Sequence, residues 1–112
     1  MANEKAVEKI LKLGQKGKTK KLISYASSKK QDERAAAAEA LGYTTGDDPY
    51  NALIILLRDP VAAVGIKAAG SLKKMGKQTA VEHLRHVSLH TSDESLKAAC
   101  NEAAASLAST GR

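Results

Sequence analysis

A self-similarity of 31 residues constrains this chain more than any other feature of its sequence. Ile10, Leu41 and Leu72 recur at that spacing, with Ala103 next in the series. Val7, Ala38, Ala69 and Cys100 form a second row, and Ala6, Ala37, Ala68 and Ala99 a third. In the other half of the unit Leu22, Leu53 and Leu84 align, as do Tyr25, Leu56 and Val87. A period of this length marks stacked repeats, in which each unit buries its apolar face against its neighbours. At 112 residues the chain fits one such domain.

The unit is helical. There is no Phe and no Trp, and only three Tyr, so the aromatic and β-branched alternation that strands require is missing. The apolar residues are mostly Ala, Leu, Ile and Val, and alanine combines the highest helix propensity with a side chain short enough for close helix approach. Asp48-Pro49 and Asp59-Pro60 each read as a capping acid followed by a proline at the first helical position. Gly42 and Gly76 stand where helices should end in a left-handed cap, and Ser92 or Asp93 can cap the last helix. These signals predict helices over 3–13, 18–29, 32–42, 48–58, 60–75, 78–90 and 93–109. The helices at 18–29, 48–58 and 78–90 open the repeats, and those at 32–42, 60–75 and 93–109 complete them. The first helix shares the register of the second set through Val7 and Ile10, so residues 1–17 read as a capping half-repeat with a basic turn, ahead of repeats at 18–47, 48–77 and 78–109. Lys5, Glu8, Lys9 and Lys12 supply the polar outer face that an end cap needs.

The stretches Arg34-Ala-Ala-Ala-Ala-Glu-Ala-Leu-Gly42 and Ile66-Lys-Ala-Ala-Gly-Ser-Leu72 resemble the second-helix signature of HEAT-like repeats. The short units are most similar to the repeats of about 30 residues first described in phycobilisome lyases. The middle unit departs from that pattern at Gly65, where Arg is expected, and the last has Ala103 in place of Leu. The resemblance implies an all-α, right-handed superhelical array of antiparallel helix pairs. It also implies binding of another protein, since members mostly bind proteins and a minority process chromophores or nucleic acids.

The resemblance further implies that the second helices line the binding surface. In the shared register that stripe reads Ala36, Glu39, Ala40 and Tyr43, then Lys67, Gly70, Ser71 and Lys74, then Ala98, Asn101, Glu102 and Ala105. Glu39, Tyr43, Lys67, Gly70, Ser71, Lys74 and Asn101 are the expected partner-binding residues. The small residues of the stripe have two readings, a shallow groove for a helix or extended segment or simply close helix spacing.

The net charge of +6 is unevenly placed, because residues 1–31 hold nine Lys against Glu4 and Glu8. Lys16, Lys18, Lys20 and Lys21 crowd a helix start, where free amides and lysines together suit a phosphate or carboxylate. Non-specific nucleic-acid binding there is the alternative function, against a merely solvated end cap. Mixed charge after residue 31 argues against a continuous basic track.

Other chemistry finds no support. Gly14-Gln-Lys-Gly-Lys-Thr19 has two residues between its glycines where a phosphate-binding loop needs four, and it follows a helix instead of a strand. His83, His86 and His90 share a helix face near Glu82, but nothing completes a zinc set, so no metal and no cofactor are expected. Cys100, the single cysteine, lies in the core row of Val7, Ala38 and Ala69, and Asp47-Asp48 reads as a cap. No catalytic residues are assigned. One cysteine, no leader-like N-terminus and no apolar run of membrane-spanning length lead to the expectation of a cytoplasmic monomer.

Overall fold

Alanine and leucine at the repeat positions draw the chain into helix pairs, and the computed structural model describes residues 4–109 of them. The helices are α1 (Glu4–Gln15), α2 (Thr19–Ala26), α3 (Gln31–Leu41), α4 (Asp47–Leu57), α5 (Ala62–Met75), α6 (Ala80–His90) and α7 (Glu94–Ser109). No strand occurs among the described residues. The expected start of the first helix at residue 3 lies outside them.

The helices form two layers. Helices α1, α3, α5 and α7 pack side by side in chain order, while α2, α4 and α6 form the other layer, each packed on the second helix of its own pair. Helix α1 docks on α3, as the register of Val7 and Ile10 with Ala38 and Leu41 requires. The row Ile10, Leu41, Leu72 and Ala103 runs through the core from end to end, and Leu22, Leu53 and Leu84 are equally buried beneath the other layer.

Close approach within the first layer depends on missing side chains. A Cβ on Gly14 would stand 2.7 Å from the Ala40 carbonyl oxygen, and one on Gly42 would stand 2.6 Å from Ser71 Oγ. Gly42 is therefore a packing residue, not the left-handed cap its position suggests, since its backbone is right-handed. Gly76 does close α5 in the left-handed region, at φ 75°.

The caps differ from expectation at two helices. Helix α4 begins at Asp47, so Asp48 and Pro49 lie inside its first turn, where a proline lacking N–H costs nothing. Helix α5 begins at Ala62, two residues later than expected, and Asp59 is engaged in the turn before it. Its Oδ1 accepts the Val61 amide at 2.9 Å, and its carboxylate also takes the Arg34 guanidinium, with Nε donating to Oδ2 at 2.7 Å and Nη2 to Oδ1 at 3.1 Å. Arg34 Nη1 donates to the Ser28 carbonyl at 3.0 Å, so one side chain ties the α2–α3 turn to the α4–α5 turn. Burial pushes the Asp59 carboxyl up, but the Arg34 hydrogen bond, the Val61 amide and the guanidinium charge outweigh it and hold the group below the ordinary carboxylate value. Asp93 caps α7, accepting the Leu96 amide at 2.8 Å.

Gly65, the departure from the arginine of the repeat signature, has a local cause. A Cβ there would stand 3.0 Å from the Leu57 carbonyl oxygen and 3.1 Å from Leu96 Cδ1. Leu96, one repeat on, fills the space at that junction, so the tie made by Arg34 is replaced by apolar contact.

Candidate functional site

The expected stripe on the second helices is only partly open. Ala36 and Ala40 are buried, and Ser71 is 4% exposed, its hydroxyl donating to the Ala38 carbonyl at 2.5 Å and lying 3.3 Å from that of Glu39. Ala36 and Ala40 are thus core residues, and Ser71 forms the floor between α3 and α5. The reason is the offset of neighbouring helices, which turns this edge of the stripe into the interhelix seam. For Ala40, Gly42 and Ser71, small size serves spacing.

Gly70 behaves differently. A Cβ there would meet no atom within 4 Å. It sits in an open groove of about 620 Å³ walled by Glu39, Ile66, Lys67, Lys73, Lys74 and Ser106. Most of its charged groups are paired across repeats, with Lys67 Nζ 3.2 Å from Glu39 Oε1 and Lys73 Nζ 3.1 Å from Glu102 Oε2. Lys74 lies 3.9 Å over the ring of Tyr43, which is 55% exposed at the groove's edge. Beyond it, Lys77 pairs with Asp47 at 3.2 Å. Asn101 Oδ1 accepts from Ser88 Oγ at 2.6 Å, so that side chain braces α6 against α7. The structure brings Glu39, Lys67, Gly70, Ser71 and Lys74 to one groove with Tyr43 at its rim, and it leaves Asn101 apart.

A second groove, of about 440 Å³, opens between α2 and α4 and escapes sequence reasoning. Its walls include Ile23, Ala26, Ala52 and Ile55, with Lys20 and Asp48 also lining it, and Ile55 is 73% exposed. Ile55 stands in the apolar run Ala52–Leu57, whose sequence gives no sign of which residue faces out. Only the arrangement of α2 beside α4 reveals that the run presents one isoleucine outward.

The N-terminal lysines do not converge on one anion site. Lys16 belongs to the outer face of α1, Lys18 precedes α2, and Lys20 turns toward the groove with α4. All four, with Lys21, are solvent-exposed.

The remaining reactive side chains are engaged or enclosed. The rings of His86 and His90 stack at 4.2 Å, and His90 Nδ1 faces the His86 carbonyl at 2.8 Å. No group of three or more metal-ligating side chains is gathered among the described residues. Cys100 is fully buried, which pushes its thiol up to about 11 and removes the thiolate at neutral pH. None of the described helices is long and apolar enough to cross a membrane.

Comparison with known proteins agrees with this arrangement. None of the curated proteins matches the chain at a significant level. The HEAT-repeat family matches residues 19–105, which begins at α2 and ends within α7. Two layers of paired helices, a continuous apolar row through the second helices and that match together place the chain in the HEAT-repeat family.

Proposed function

We propose that this protein is a non-enzymatic interaction module that takes a segment of a partner protein along the groove formed by α3, α5 and α7. HEAT repeats generally mediate protein–protein interaction. The observation that carries the reading is Gly70. It is a helical glycine with open space where its side chain would be, so the helix gives up about 0.5–1 kcal/mol for a clearance that packing does not need. Tyr43 under Lys74 offers a rigid aromatic at the rim, and Glu39, Lys67 and Lys74 supply groups of both signs to an approaching backbone or side chain.

Gly70→Arg tests this directly. The arginine enters open space in a helix interior, so the variant should be at least as stable as the wild type while its side chain fills the groove. Proteins captured from cell extract by the wild type should be lost with Gly70→Arg and kept with Ile55→Glu. Loss with Ile55→Glu alone would move the working surface to the α2–α4 groove.

A further inference from the structure

The outer face of α1 carries a stripe of uncompensated charge. Lys5, Lys9, Lys12 and Lys16 follow one another at steps of four, three and four, which puts them on one side of the helix over about 16 Å of its axis. They line a shallow trough of about 320 Å³, together with Glu8 and the half-buried Leu13. None of the nine lysine side-chain amines between residues 5 and 30 takes part in an ion pair or hydrogen bond among the described residues, whereas those of Lys67, Lys73 and Lys77 are all paired. Glu8 is the single acidic group in the trough.

The chemistry of this face selects its partner. The apolar side of α1 is committed to the core through Ile10, with Val7 and Leu11 packed beside it. Among the described residues, the large hydrophobic side chains that stand exposed are Tyr43, Ile55 and Leu89, none of them on α1. A bilayer surface is held by inserted apolar side chains as well as charge, and a protein interface is anchored by aromatic or aliphatic residues in pockets. The α1 face has no exposed large hydrophobic residue to insert or to serve as an anchor, only the half-buried Leu13 at its edge. A phosphate backbone asks only for regularly spaced cations. With no aromatic on α1, bases cannot be stacked, which favours a duplex over a single strand. We infer that α1 docks through Lys5, Lys9, Lys12 and Lys16 on the phosphate backbone of duplex nucleic acid, without reading its sequence.

The full chain is titrated into a fluorescent 20-base-pair duplex by anisotropy between 50 and 200 mM salt. Four phosphate contacts give a slope of about −3.6 in log affinity against log salt, equivalent to about a hundredfold weakening over that range. Replacing the four lysines by Gln, which keeps helix propensity at exposed positions, should weaken binding at least tenfold at 50 mM salt and reduce the slope by about that amount. Glu8→Gln should strengthen binding several-fold, a gain that misfolding cannot imitate. Replacing Lys67, Lys73 and Lys74 by Gln should leave the affinity within about twofold. An unchanged slope in the four-lysine variant would overturn the inference, as would no gain from Glu8→Gln. Tighter binding to phosphatidylserine vesicles or to a polyglutamate peptide than to the duplex at equal salt would also overturn it, in favour of a membrane or an acidic protein.

Discussion

Lysines serve opposite ends at two places in this array. In the middle, Lys67 and Lys73 reach carboxylates one repeat away, Glu39 and Glu102, while Lys77 reaches Asp47 and Lys74 covers Tyr43. On α1, with the same kind of side chain on the same layer of helices, Lys5, Lys9, Lys12 and Lys16 form no ion pair among the described residues. The difference follows from position in a one-dimensional stack. An inner repeat has a neighbour on each side to supply the opposite charge, while among the described residues no helix packs on the outer face of α1. Charge in the middle therefore stitches repeats together weakly, and charge at the end remains available to whatever approaches.

The contrast holds only if both regions are equally well folded, which gives the largest predicted effect. Ile10→Ala in α1 and Leu72→Ala in α5 each remove a fully buried side chain from the same apolar row, and each should cost about 2–5 kcal/mol in denaturant unfolding. A much smaller cost at Ile10 would mean that α1 is only loosely docked, and the comparison would fail. Cys100→Ser should also destabilise, since it buries a hydroxyl in that core.

Acid unfolding comes next. The folded protein holds the Asp59 carboxyl below its ordinary value, so the stability it supplies is complete above about pH 4 and lost as pH falls through the lowered value. Asp59→Asn should lower the midpoint at neutral pH and flatten the acid dependence. The same steep acid limb in the variant would show that Arg34 and Asp59 are not linked as described.

The smallest effects concern the lysines themselves. Lys67→Ala and Lys73→Ala should each cost no more than about 1 kcal/mol, the range of exposed ion pairs. Lys9→Ala should be neutral or slightly stabilising, because Lys5 and Lys12 stand four and three residues from it on the same face of α1. A cost at Lys9 equal to that at Lys67 would reveal an acidic partner for it and erase the distinction.

How much of this was legible in the sequence depended on whether one period or two neighbours decide the outcome. The helices, the pairing of α1 with α3 and the burial of Leu41, Leu72 and Cys100 follow from the repeat alone. Gly42 reads as a helix end and Gly70 as part of the surface stripe, yet a side chain on Gly42 would collide with Ser71 while one on Gly70 would enter open space. What separates them is the offset between α3 and α5, which no local pattern encodes. Asp59 was readable as a cap, but its pairing with Arg34, 25 residues earlier, was not. The lysine excess was plain from composition. The outer face of Lys5, Glu8, Lys9 and Lys12 followed from the register of Val7 and Ile10, whereas the divergence of Lys18 and Lys20 from Lys16 depends on how α2 turns away from α1.

The contrast between the two sets of lysines is tested most directly by amine acylation of the native protein at low salt, with each lysine followed by mass spectrometry. An amine held against a carboxylate must leave it to react. Lys5, Lys9, Lys12 and Lys16 should therefore label several-fold faster than Lys67, Lys73 and Lys77, and 1 M salt, which screens surface pairs, should narrow the gap. Equal rates in the two sets at low salt, or slower labelling on α1, would contradict the account.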